Sequence, residues 1–335
     1  MNQYTVLVVP DLLSLIPYTW DKCNPLYSPD KRESIEWMLK YNVLTNHRRN
    51  RLDGLNVELS GAYQYPSSNA EGLRIATDFV MILFTVDEFT DVQDADSAKT
   101  TRDVFVNALN GVSSNDKSPI ALFTKDFMTR LSRIASPEVR ERFVSHCVAY
   151  INATAKEATL RATNKKLSFE EYTHLRRDNG GELACFDLIE AVLRIALPAE
   201  VFEDPSFQAI CCSMNDLICL ANDIYSYPME YSRGIDQVNA VTAIKHEKVV
   251  STQEAIDLVA DHYKKLVKLV GSCKRSLPSF GPETDDAIHT YIHGIEQWFY
   301  GYIVWCFDTP RYFGKEHEDM KCTMTVKVMQ HKFLD

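Results

Sequence analysis

The sequence predicts an all-α protein, and three observations carry that prediction. Apolar residues recur at spacings of three and four along most of the chain, the period of a helix with one buried face. Glycine and proline are scarce, 12 and 13 in 335 residues, and several prolines sit where helices begin. Alternating, strand-like stretches are few, and Thr5–Val9 is the only tempting one.

Taken in order, Ser28-Pro29 pairs an N-cap residue with Pro at the first helical position and opens a helix over 30–42. The same signature at Ser118-Pro119, Ser136-Pro137 and Asp204-Pro205 opens helices over 119–134, 137–162 and 205–230. Ser168-x-x-Glu171 and Ser251-x-x-Glu254 read as capping boxes for helices over 169–176 and 252–276. Periodicity places the remaining helices over 70–88, 100–110, 181–196, 237–247 and 283–307. Gly180-Gly181 falls between two of these and permits a sharp or left-handed joint. No polar, flexible break divides the chain, so one domain over 1–335 is expected.

With 45% hydrophobic and 24% charged residues the chain is globular and can bury a sizeable core. A formal net charge of −10 argues against nucleic acid, whose binding is driven by basic patches on phosphate. An anionic substrate would need metal ions or local Arg and Lys to screen it. The nine cysteines show no C-x-x-C spacing and read as core thiols in a reducing compartment. Met1–Ile16 lacks a basic start and a small-residue cleavage site, and no apolar run approaches the roughly 18 residues of a membrane span. A cytoplasmic protein without stable membrane insertion, monomeric or homodimeric, is expected.

The chemistry concentrates in two stretches. Val80, Phe84, Asp87 and Asp91 follow helical steps of four, three and four, with Glu88 beside them. The carboxylates of Asp87 and Asp91 thus extend an apolar face, where a solvated acidic patch would lie opposite it. Oxygens one turn apart suit a hard cation such as Mg²⁺. Near the middle of the chain, Asn222, Ser226 and Glu230 lie at i, i+4 and i+8, on one face within about 80°. Their amide, hydroxyl and carboxylate oxygens can hold one Mg²⁺ and leave positions for water or phosphate. Pro228 lacks an N–H and is expected to distort this helix near Ile224. Arg233, Arg176, Arg177 and Arg311 are the candidate phosphate partners, since the guanidinium fork donates two hydrogen bonds at once. Tyr291, Ile295, Trp298, Tyr302 and Trp305 form a largely aromatic stripe on the last long helix.

Each feature has a plainer reading. The first acidic cluster alone fits a solvated turn, Arg311 alone a surface ion pair, and Arg176 or Arg177 a helix C-terminus favoured by the dipole. The aromatic stripe is core position by position, with one or two members lining a cavity. It is the pairing of two oxygen-rich faces on two apolar helices that favours a shared metal site.

These residues resemble the class I terpene synthases, most closely the fungal, basidiomycete-type sesquiterpene synthases. Asp87-Glu88-Phe89-Thr90-Asp91 resembles the family's aspartate-rich motif, and Asn222-Asp223-x-x-Ser226-x-x-x-Glu230 its second metal motif, 135 residues on. Arg311-Tyr312 is similar to the family's Arg-Tyr pair, and Arg176-Arg177-x-x-Gly180-Gly181 to its diphosphate sensor, with Arg177 preferred and Arg176 next. Three departures stand out: Glu88 where the motif has a second Asp, Asn179-Gly180-Gly181 at the trigger segment, and Met229 where a Lys or Arg often precedes the last metal ligand.

The resemblance implies a single helical bundle around a central apolar cavity. It implies three Mg²⁺ ions, with Mn²⁺ as the alternative, held by Asp87, Asp91, Asn222, Ser226 and Glu230. Arg176 or Arg177, Arg233, Arg311 and Tyr312 would grip the diphosphate of a prenyl substrate, most readily the C15 farnesyl one. Phe84 and Trp305 would offer π faces to the carbocation in a dry cavity, with Phe79 and Tyr63 as the weaker candidates for that role. Rival readings are a synthase acting on geranyl diphosphate, a chain-elongating prenyl diphosphate synthase, and a non-catalytic helical binding protein.

Overall fold

The computed structural model describes residues 4–44, 52, 54–90, 93–112, 115–163 and 165–329, and the apolar period resolves there into helices. In chain order these are α1 Glu33–Lys40, α2 Val57–Gln64, α3 Ala70–Thr90, α4 Ala95–Leu109, α5 Pro119–Leu131, α6 Pro137–Thr163 and α7 Phe169–Asn179. There follow α8 Glu182–Leu193, α9 Ala199–Glu203, α10 Pro205–Arg233, α11 Ala240–Lys248, α12 Thr252–Ser276, α13 Pro282–Asp308 and α14 His317–Thr323. Among the described residues no helix is long and apolar enough to cross a membrane.

Local chemistry explains most helix starts. Ser168 and Ser251 form reciprocal capping boxes with Glu171 and Glu254. Asp204 accepts from the Phe207 N–H at 2.9 Å, and Ser136 Oγ from that of Val139 at 3.3 Å. Ser28-Pro29 does not open α1. The Ser28 carbonyl closes a turn with Lys31, and α1 begins only at Glu33. Its first free N–H groups, on Ser34 and Ile35, are satisfied by the Glu58 carboxylate of α2, a cap that comes from elsewhere in the fold. Helix α10 continues through Pro228 to Arg233 and closes on Gly234, whose φ of +70° is the left-handed C-terminal conformation.

The one tempting strand-like stretch, set aside in the all-α reading, does form a strand, β1 Tyr4–Val8. Its partner β2, Thr325–Met329, was not anticipated; the two run antiparallel with Tyr4 opposite Met329. Leu7 and Val328 point inward from this pair, while Tyr4, Val6 and Val8 remain exposed.

Helix α10 lies against α12 and α13, and α13 packs on α2, which sits on α3; α3 and α6 meet α8. The central helices bury nearly continuous apolar runs: Ile75 to Ile82 on α3, Leu217 to Ala221 on α10, Ile295 to Phe307 on α13. At around 25 cal/mol for each Å² of apolar surface removed from water, this burial is the main stabilising force. The cysteines are free thiols, with Cys147, Cys185, Cys219 and Cys306 buried as core residues.

Candidate active site

One hollow receives side chains from α2, α3, α6, α7, α10, α13 and the segment after α13. Val80, Leu83, Phe84, Asp87 and Glu88 enter it from α3, and Asn222, Asp223, Met229 and Glu230 from α10. The two oxygen-rich faces, far apart in sequence, therefore border the same space. The terminus of α3 stops at Thr90, and Asp91 lies outside the described residues.

Asp87 accepts a hydrogen bond from the Tyr150 hydroxyl of α6 at 2.7 Å. Enclosure by protein raises its pKa to about 6, because desolvation of the charged form outweighs that hydrogen bond and the nearby Arg311. Glu230 is pushed further, to about 8, by burial first and then by the neighbouring Asp223. Asn239 donates to the Glu230 carboxylate at 3.0 Å and fixes its direction. Ser226 is buried on the same face, with its hydroxyl directed to the Glu230 carboxylate, and it does not itself line the hollow. Two buried carboxylates that are costly to ionise fit a site for a divalent cation. The donor set is all oxygen, which suits a hard ion. Among the described residues no three His, Cys, Asp or Glu side chains gather into a ready-made cage.

The arginines separate. Arg176 is buried, lines the hollow and is held by Asp223 at 3.2 Å and by the Asn222 amide oxygen at 3.0 Å. Arg177 turns the other way, making a two-pronged pair with Asp216 at 2.8 and 2.8 Å outside the hollow. Arg177 is the residue the sequence favours; of the two it is Arg176 that lines the hollow, since consecutive helical residues point about 100° apart. Arg233 sits at the rim. Arg311 enters from the C-terminal segment with its guanidinium 4.5 Å from the Phe84 ring centre. Next to it, the Tyr312 and Tyr302 hydroxyls accept from Asn222 Nδ2 at 2.9 and 2.6 Å.

Of the aromatic stripe, Trp298 and Tyr302 line the hollow. Trp305 does not: its indole N–H is used on the Leu55 carbonyl at 2.8 Å, and its ring stands behind Phe84, centroids 5.6 Å apart. Trp305, expected on the sequence to offer a π face, thus packs behind a lining residue and does not line the hollow itself. Phe79 is buried against Phe127 and Phe143, and Tyr63 is engaged with Asp308.

Sequence reasoning missed several groups. Asp223 clamps Arg176 and also accepts from the Tyr172 hydroxyl and from the Ala240 N–H at the start of α11. Its position inside the second motif was the available signal. Tyr150, Asn239, Gln64 and Glu157 carry no local pattern, and only the fold brings them to the hollow or its ligands.

An all-α enclosure with carboxylates and arginines around a partly aromatic hollow is the architecture of a class I terpene synthase, and comparisons with known proteins agree. This is a carbon–oxygen lyase acting on diphosphate esters with the help of divalent metal. The family model described as terpene synthase family 2, C-terminal metal binding, matches residues 78–268, and the chain belongs to that family. A bifunctional terpene synthase of Cyclocybe aegerita is 38% identical over 317 residues, 94% of this chain and 91% of that protein. A Coprinopsis cinerea protein named linoleate 10R-lipoxygenase is 36% identical over 334 residues, 100% of this chain and 95% of that one. A solved hedycaryol synthase in complex with nerolidol superposes with a TM-score of 0.74 at 25% identity, covering 89% of this chain and 99% of that one.

Proposed function

We propose that this enzyme ionises farnesyl diphosphate in a Mg²⁺-dependent reaction and converts the carbocation to a sesquiterpene, releasing diphosphate, with the whole apparatus in one domain. The observation that carries this reading is the shared hollow: Asp87 and the Asn222–Glu230 face stand at one end, with Arg176, Arg233 and Arg311 beside them.

The chemistry follows from charge. As the C–O bond breaks, the leaving diphosphate gains negative charge. Arg176, Arg233 and Arg311 are aimed to stabilise it, and the Tyr312 hydroxyl can donate to it. Asp87, Asn222, Ser226 and Glu230, with Asp91, would hold the Mg²⁺ ions, which when bound neutralise the diphosphate oxygens. The allylic cation left behind needs walls that do not react with it. Val80, Leu83 and Phe84 offer apolar surface, and Trp298 and Tyr302 offer ring faces that attract positive charge. Printed names of sesquiterpene synthases among the relatives support a C15 substrate.

The test is incubation of purified protein with geranyl, farnesyl and geranylgeranyl diphosphates and Mg²⁺, with volatiles read by gas chromatography. Farnesyl diphosphate is expected to turn over and EDTA to stop it. Turnover of geranyl diphosphate alone would favour the C10 reading, and chain growth on added isopentenyl diphosphate the elongating one. Three intact substrates in the presence of metal would leave a non-catalytic protein.

A further inference from the structure

We propose that Gln64 holds a single water molecule in the hollow and directs it onto the carbocation, so that the main product is a terpene alcohol whose oxygen comes from solvent. The proposal rests on the terpene synthase reading above and adds how the cation is quenched.

Gln64 is the last residue of α2, 3% exposed, and it lines the hollow. Its amide oxygen is buried and accepts no hydrogen bond. Leaving a buried amide oxygen unpaired costs roughly 1–3 kcal/mol, so a hydrogen-bond donor in the hollow would be held by it. The nearest polar side chain in sequence cannot serve. Tyr65 donates to the Cys185 carbonyl at 3.0 Å, and its hydroxyl oxygen is taken by the Trp298 indole N–H at 3.2 Å. Other orphaned atoms around the hollow have different tasks. Arg311 Nε belongs to the diphosphate end, and Asn179 Oδ1 lies at the α7–α8 joint, where Asn179 Nδ2 already grips Glu157 at 2.6 Å. Gln64 lines the same hollow as Val80, Leu83 and Trp298, and unlike Asn179 none of its side-chain atoms is engaged with a charged group among the described residues.

The backbone holds this amide in place. A Cβ on Gly301 of α13 would lie 2.1 Å from the Tyr63 carbonyl oxygen and 2.9 Å from the Gln64 nitrogen, so the end of α2 is seated directly on α13. A half-turn about the last side-chain torsion presents either the oxygen or the NH₂ to the hollow. A neutral amide also suits the task. A carboxylate here would collapse onto the cation, whereas an amide oxygen accepts a hydrogen bond from water and leaves the water's lone pair free to attack.

The step balances without any redox partner. The water oxygen forms the new C–O bond at a tertiary cationic carbon. One O–H bond breaks, and its proton passes to an oxygen of the departed diphosphate. The sum is prenyl diphosphate plus water giving alcohol plus hydrogen diphosphate. A tethered water attacks from one direction, which limits the reaction to one carbon and one face.

The test uses the full chain with farnesyl diphosphate and Mg²⁺ in ¹⁸O-enriched water. An alcohol carrying the label is expected to dominate the volatiles. In Gln64→Leu the alcohol share of the products is expected to drop about tenfold in favour of hydrocarbon, the size of one lost hydrogen bond. Gln64→Asn, which keeps the amide but shortens its reach, should fall between the two. Should Gln64→Leu fail to fold by circular dichroism, the wild-type labelling and Gln64→Asn still decide. Diphosphate release with only hydrocarbon products, or an unchanged alcohol share in folded Gln64→Leu, would overturn the proposal. Absence of diphosphate release from any prenyl substrate would instead overturn the terpene synthase reading, and this proposal with it.

Discussion

At the scale of single residues, the carboxylates at the mouth of the hollow link metal binding to protons. Glu230, pushed to about 8, is largely protonated at pH 7 without metal, and Asp87, at about 6, begins to protonate as the pH falls. A metal ion takes only the ionised form, so binding at pH 7 releases a proton, and apparent Mg²⁺ affinity rises from pH 6 to 8. Calorimetric titration in two buffers of different ionisation enthalpy reads that proton directly. The sign for stability is opposite in the metal-free protein. A carboxylate whose pKa is raised by folding binds more protons folded than unfolded, so stability is lost as pH rises from the ordinary carboxylate range through 8. The metal-free melting temperature is therefore expected to fall over that window and Mg²⁺ to restore it, and a melting temperature that climbs without metal would contradict the assignment. The arginines give a second prediction at this scale. Arg176→Ala should lower turnover by about 10²-fold or more, the loss typical of a donor aimed at developing charge. Arg177→Ala, which removes a half-exposed pair with Asp216, should cost far less turnover. Steady-state rates of the two variants decide, and a larger loss at Arg177 would reverse the assignment.

At the scale of elements, the joint between α7 and α8 sets which side chains face inward. Gly181 has a φ of +76°, and a Cβ there would lie 2.8 Å from Leu83 Cδ2, an atom of the cavity wall. Gly181→Ala is expected to destabilise the protein by about 1–2 kcal/mol through the left-handed backbone alone and to shift the product distribution by displacing Leu83. Thermal melting and product profiles check both effects, and an unaltered melting temperature would show that the joint tolerates a side chain. The same joint marks where the sequence was legible. Long amphipathic helices, two capping boxes and the glycine pair have local causes, so α3, α10 and α13 could be read from residue spacing. The short helices α2 and α9 have too few turns to display a period. The start of α1 depends on Glu58 across the fold, and β2 depends on pairing with β1 at the other end of the chain. The inward choice of Arg176 over Arg177 depends on the rotation of α7, which the two arginines alone do not reveal.

At the scale of the whole molecule, the account rests on Asp87 and Asn222 facing each other across one space. Their identity as metal-motif residues was readable because each motif is local. Their supports, Tyr150 for Asp87 and Tyr302 and Tyr312 for Asn222, come from other elements and emerge only from the packed bundle. If the two faces form a single site, inorganic diphosphate should bind only together with Mg²⁺, and each face should be indispensable to that binding. The direct measurement is calorimetric titration of inorganic diphosphate, with and without Mg²⁺, into the wild type, Asp87→Asn and Asn222→Ala. The predicted result is Mg²⁺-dependent binding to the wild type that is lost in both folded variants. Diphosphate binding that needs no metal, or that survives either substitution unchanged, would contradict a shared site.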